Sequence, residues 1–178
     1  MEDDEVSSQV PQAALDGQPS STIYCQILIQ LMRLSSAAKK RLSSATAMRQ
    51  SPDQLIETVR DLNGQLDQVK HSVKESFRLG EPLHSSQLLS GLITRQAQSL
   101  QSHYFSLVLD INTPLTYPWS GLYKYARHDA ASLAQIEAAC NNVSSASRSA
   151  ILATRQIHID ANCSFLYVIP CHLLHSLE

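Results

Sequence analysis

Residues 51–73 read SPDQLIETVRDLNGQLDQVKHSV, and this stretch decides the fold. Ser51 suits a helix N-cap, because its hydroxyl can accept a backbone N–H that has no partner within the helix. Pro52 suits the first helical position, where a missing N–H is harmless. Asp53 sets a negative charge at the positive end of the helix dipole. Leu55, Ile56, Val59, Leu62, Leu66, Val69 and Val73 then return at steps of three and four, the spacing of one helix face. Gly64 weakens this helix by about 1 kcal/mol relative to alanine but leaves the stripe whole.

The same period extends on both sides. Ile23, Ile27, Leu31, Leu34, Ala38 and Leu42 predict a helix that begins at Ser20 or Ser21 and fades after Ala47. A third helix is expected from Ser86 to Asp110, with Leu89, Leu92, Ile93, Leu100, Tyr104, Leu107 and Val108 as its face. Gly80 to His84 is the loop before it, broken by Pro82, and Pro114 and Pro118 are expected to end regular structure after it. Thr116 to Trp119 is expected to be an extended connector. A fourth helix is expected from Asp129, a candidate cap, to Ile157, on a stripe of Leu133, Ile136, Cys140, Val143, Ala150, Ile151, Thr154 and Ile157. The prediction is an all-α chain, an irregular bundle of four to five amphipathic helices. It divides into an acidic extended lead-in over 1–20, a helical domain over 21–160 and an apolar tail over 161–178.

Composition fits this. The chain has 178 residues, 43% apolar and 17% charged, with only 5 glycines, which excludes a collagen-like chain and a disulfide miniprotein. No glycine-rich phosphate loop is visible. The net charge of −2 is unevenly placed, with five acids (Glu2, Asp3, Asp4, Glu5, Asp16) and no base in residues 1–20. So small a charge gives no general field for nucleic acid or membrane, and no apolar run is long enough to span a bilayer. Met1 to Pro11 is acidic rather than basic and then apolar, so no signal peptide is expected. Cys25, Cys140, Cys163 and Cys171 form no C-x-x-C pair and are expected to be reduced thiols.

Several groups of residues carry candidate chemistry. Arg33, Lys39, Lys40, Arg41 and Arg49 occupy a stretch with no acid. They read either as a phosphate-contacting surface or as a solvated helix end, where cations suit the dipole; three are consecutive and fan over different faces, which favours the second. His158, Asp160, Cys163, Cys171, His172 and His175 are metal-ligand types, but their spacing matches no standard zinc site. Nothing around them supplies the oxyanion hole that a Cys–His nucleophile needs. Asp53, Glu57 and Asp61 read either as an acid–base couple or as solvated charges, and their place on the outer face of one helix favours the second. Tyr117, Trp119, Tyr123 and Tyr125 form the densest aromatic cluster. Such rings line a small-molecule pocket in one reading and plug the helices in the other.

The order of these segments resembles the regulatory, or middle homology, domain of fungal-specific transcription factors that carry a binuclear zinc-cluster DNA-binding domain. An acidic Asp3-Asp4-Glu5-Val6 signature precedes Pro11. Ser21-Thr22-Ile23-Tyr24 leads through Ile27, Leu31 and Leu34 to Arg41-Leu42-Ser43-Ser44-Ala45. Asp61-Leu62-Asn63-Gly64-Gln65-Leu66, His103-Tyr104-Phe105, Cys140-Asn141-Asn142-Val143 and Ser147-Arg148-Ser149-Ala150-Ile151-Leu152 follow in the family's order. The resemblance covers most of residues 1–160 and implies part of a larger helical domain. It implies a non-enzymatic, nuclear regulatory function, with protein co-regulators or the remainder of the factor as partners. DNA and zinc would be bound by a separate domain, and the six-cysteine segment is absent from this chain. The chain itself would hold no cofactor; Asp3, Asp4 and Glu5 would be the family's acidic signature, and a small-molecule effector would meet the aromatic cluster. The alternative is a small helical scaffold or oligomerisation protein, including a degenerate fragment.

Overall fold

A computed structural model describes residues 19–73, 79–81, 94–117, 121–126 and 129–154. Among them the chain is all-α, with five α-helices and no strand: α1 (Pro19–Ala38), α2 (Pro52–Ser72), α3 (Thr94–Thr116), α4 (Leu122–Ala126) and α5 (Ala130–Thr154). The acidic signature Asp3, Asp4 and Glu5, the aromatic Trp119 and the His/Cys group from His158 onward lie outside the described residues.

α1 begins at Pro19, so the extended lead-in expected to reach residue 20 stops earlier; Pro is well suited to a helix's first turn. Its expected stripe is its buried face: Ile27, Leu31, Leu34 and Ala38 are buried, with Ile23 and Leu42 packed against them. The helix does not run on to Ala47. Its last turn widens into a π-helical turn over Lys39–Ser43, and the chain extends at Ser44. The Ser44 hydroxyl accepts the Ala47 N–H at 3.1 Å, which opens the 3₁₀ turn Ala47–Arg49. A short serine side chain thus offers the backbone an alternative to the helix.

α2 starts where Ser51-Pro52-Asp53 predicts. The Ser51 hydroxyl accepts from the Gln54 N–H at 3.3 Å, and the Gln54 side chain accepts from the Ser51 N–H at 3.0 Å, a reciprocal capping box. α1 and α2 run antiparallel: Arg41 pairs with Asp61 at one end, and the Ser72 hydroxyl donates to Gln30 at the other. Gly64 is exposed, with nothing within 4 Å of where a Cβ would sit. Gly64→Ala is therefore expected to raise unfolding stability by about 0.5–1 kcal/mol, measured by urea titration.

α3 overrides its proline. It continues through Pro114 to Thr116, past the expected end at Asp110. Pro114 sits in the last turn, and Ile111 and Leu115, both essentially sealed from solvent, hold that turn in the core. Ahead of α3, Leu79 is buried, and Gly80 takes φ +87° with its Cα side against the Tyr104 ring, 2.8 Å from where a Cβ would sit. Only glycine fits both the conformation and the space. The buried Gln101 clamps this turn, accepting from the Gly80 N–H at 2.8 Å and donating to the Glu81 carbonyl at 3.1 Å.

Thr116, expected to open an extended connector, is the last residue of α3, and beyond that connector lies the short helix α4, whose Leu122 and Ala126 are buried one turn apart. α5 then packs along α3 in the most extensive helix contact of the fold. Its inner face keeps Ile136, Val143 and Ala150 of the expected stripe, with Leu133 and Cys140 packed against the core, and corrects the rest. Ser132, Ile136, Ala139 and Ala146 are buried, with Val143, Ala150 and Ala153 half-buried between and beyond them. These positions alternate in steps of four and three, the seam of a helix pair, and most are alanine. Ile151, placed on the inner stripe by hydropathy, lies outside it and is 58% exposed, and Thr154 is exposed too.

Candidate functional site

The most organised polar group in the fold is a trio of asparagines. Asn112 on α3 has no exposed surface. Its Oδ1 accepts from Asn63 Nδ2 of α2 at 3.0 Å and from Asn142 Nδ2 of α5 at 3.2 Å. Its Nδ2 donates to Asn63 Oδ1 at 3.1 Å and to the Val108 carbonyl at 2.8 Å. The amide thus makes all four hydrogen bonds it is able to make, and one side chain ties three helices together. No charged group joins the trio, so its chemistry is positional, fixing how α2 and α5 sit on α3. The sequence signal was a polar residue on an apolar face, since Asn112 follows Val108 by one helical turn and neighbours Ile111 and Leu115.

The candidate aromatic cluster is spread over the surface. Tyr117, Tyr123 and Tyr125 are each about two-fifths exposed. The Tyr125 hydroxyl donates to Asp53 at 2.5 Å; that bond, with the carboxylate's charge, holds its pKa above the usual phenol value and ties α4 to the start of α2. Tyr123 lies beside Cys140 of α5, and chiefly the thiol's presence, with Glu137 adding to it, raises its pKa too. Cys25 and Cys140 are half-buried free thiols. The tyrosines do not line the fold's open groove of 410 Å³, which lies between α1 and α2 among Gln30, Arg33, Leu34, Ala37, Gln65, Gln68, Val69 and Ser72.

The candidate acids sit on the outer face of α2, each with a partner. Glu57 pairs with Arg60. Asp61 accepts from Arg41 and Gln65, and chiefly the Arg41 contact lowers its pKa below the usual carboxylate value. Of the candidate cations, Lys39, Lys40 and Arg49 are exposed around the π-helical and 3₁₀ turns, and Arg33 is exposed at the groove. Among the described residues, no three His, Cys, Asp or Glu side chains are grouped so as to hold a metal, and no helix is long and apolar enough to cross a membrane.

Asp129 caps α5 as its position predicts. Its carboxylate accepts the Ser132 N–H at 3.0 Å, the Ala131 N–H at 3.3 Å and the Ser132 hydroxyl. These bonds, led by the Ser132 hydroxyl, lower its pKa below the usual carboxylate value. The capping contribution is thus present above the ordinary aspartate pKa and is lost as pH falls through the lowered value. Asp129→Ala is expected to melt below the wild type at pH 7, the gap closing on acidification; thermal melts across pH check this.

No family model, curated protein or solved structure matches this chain.

Proposed function

We propose that this chain is a regulatory interaction domain that works by helix packing against a partner protein and not by catalysis, as part of a transcription factor whose DNA-binding and zinc-binding module is separate. The transcriptional part of the proposal draws on the order of segments described above. One observation carries the interaction part. α5 lines most of its seam with alanines and buries Ile136, but near its C-terminal end it leaves two large aliphatic residues outside, Ile151 at 58% and Leu152 at 54% exposed. A helix that served only its own bundle gains about 1.5–3 kcal/mol for each such side chain it buries, so two adjacent ones held outward suit a second surface.

The test joins the full chain to an unrelated DNA-binding domain and reads a reporter carrying that domain's site. The chain is expected to change transcription relative to the DNA-binding domain alone. Ile151→Ser with Leu152→Ser is expected to abolish the change while circular dichroism shows the helices intact. No change from the wild-type chain overturns the transcriptional proposal. If the same double variant instead removes self-association in light scattering, the scaffold alternative stands in its place.

A further inference from the structure

We infer that the α1–α2 groove and the cationic corner at its end form a docking surface for the chain's own acidic segment, residues 1–18, which folds back antiparallel to α1. The inference is independent of the proposed transcriptional function.

Three observations carry it. The first is charge. Residues 1–18 hold five acids (Glu2, Asp3, Asp4, Glu5, Asp16) and no base, whereas residues 19–52 hold five bases (Arg33, Lys39, Lys40, Arg41, Arg49) and no acid. Arg41 is paired with Asp61. Arg33, Lys39, Lys40 and Arg49 have no ion-pair partner among the described residues. Charges of one sign concentrated on a surface select an opposite partner and hold its register.

The second is order. From the start of α1 toward its end, the surface presents an open groove with apolar Leu34, Ala37 and Val69 in its floor, then the cations Lys39 and Lys40. Read backward from Pro19, the segment presents Asp16, then Leu15, Ala14, Ala13, Val10 and Val6, then the four consecutive acids Glu5, Asp4, Asp3 and Glu2. Val10 and Val6 meet the groove and Glu2–Glu5 meet the cations in the same sequence, while Asp16 stays beside the start of α1, short of both. Asp61, on α2 next to the corner but outside the groove lining, does not oppose the segment, because Arg41 and Gln65 already hold its carboxylate.

The third is reach. Lys40 lies 21 residues beyond Pro19, about 31 Å along the helix axis. Glu5 lies 14 residues before Pro19, which extended backbone spans in up to about 46 Å. The acids therefore reach the corner with slack, and Val10 reaches the groove. A tethered segment meets this surface at high effective concentration, so contacts of modest strength suffice.

The test applies a water-soluble carbodiimide to the full chain. The reagent activates a carboxylate, and a lysine amine in contact then displaces it, forming an amide while the reagent leaves as its urea. Mixed equal parts of unlabelled and ¹⁵N-labelled chain separate intrachain from interchain products by mass. The expected result is intrachain coupling of Glu2–Glu5 to Lys39 or Lys40, several-fold above coupling to Lys124. It is expected to fall at roughly 0.5 M salt, where screening shortens the reach of exposed charges. Arg33→Glu with Arg49→Glu keeps both target amines and is expected to reduce the coupling several-fold, with circular dichroism unchanged. Coupling spread evenly over the lysines overturns the inference. Coupling found only between chains overturns it in favour of a second copy. No coupling, together with shielding of Lys39 and Lys40 by a single-stranded oligonucleotide, overturns it in favour of a phosphate-binding surface.

Discussion

Asn112→Asp is expected to destabilise the fold by about 3–5 kcal/mol at pH 7, the range seen when a buried charge is left without a compensating partner. The substitution keeps the shape of the side chain and changes only what one atom can do. Oδ1 continues to accept from Asn63 and Asn142, but the atom replacing Nδ2 becomes an oxygen facing two acceptors, Asn63 Oδ1 at 3.1 Å and the Val108 carbonyl at 2.8 Å. Burial and these acceptors push the new carboxyl above its unfolded pKa, so the folded state prefers it protonated. Stability is then retained below the unfolded value of about 4 and lost as pH rises through the folded one. Asn112→Leu, which brings neither charge nor opposed acceptors, is expected to be less harmful at pH 7, by about 1–2 kcal/mol. Urea titrations of both variants at pH 7 and pH 3 check the order and its narrowing in acid. An aspartate variant as stable as the wild type at pH 7 would show that the amide trio does not pin the helices.

Leu31→Asp is expected to unfold the domain or cost several kcal/mol, by burying a charge with no partner and by losing an apolar core contact. Leu31 is 1% exposed in the middle of the α1 stripe. Its neighbour Met32 is 42% exposed, so Met32→Asp is expected to stay within about 0.5 kcal/mol of the wild type. Paired urea titrations test this contrast. Equal losses at both positions, or none at either, would mean that α1 does not present the face described.

The core of α1 and α2 was legible because their buried positions are large, branched and periodic. Ser51, Pro52 and Asp53 signalled the α2 start through effects that act within one turn of backbone, and Asp129 did the same for α5. The misses share a cause, since each is decided by contacts between elements. Pro114 was read as a stop, but Leu115 beyond it is buried, and packing outweighed the lost hydrogen bond at the end of the helix. The α5 seam was legible at Ile136, Val143 and Ala150, but the expected stripe passed over Ala139 and Ala146 and took in Ile151, because hydropathy weights Ile151 above alanine, whereas contact with α3 selects small side chains. α4 was hidden because Tyr123 and Tyr125 within it, with Tyr117 before it, read as an aromatic cluster rather than as a helix. The asparagine trio was missed for a related reason: an amide on an apolar stripe looks like an exception until its partners from two other helices are in view.

The alanine seam of α5 also divides the effects of mutation by direction. Where the fold is built from Leu31, Leu62, Leu100 and Ile136, harm comes from removing atoms, because a void opens. Along Ala139 and Ala146 there is little to remove. There, harm comes from added atoms, which must push α5 off α3 and would strain the Asn142 to Asn112 hydrogen bond as they do so. Two halves of one core thus tolerate opposite kinds of change, and a sequence drifting by random substitution meets a lower bound on side-chain size in one half and an upper bound in the other.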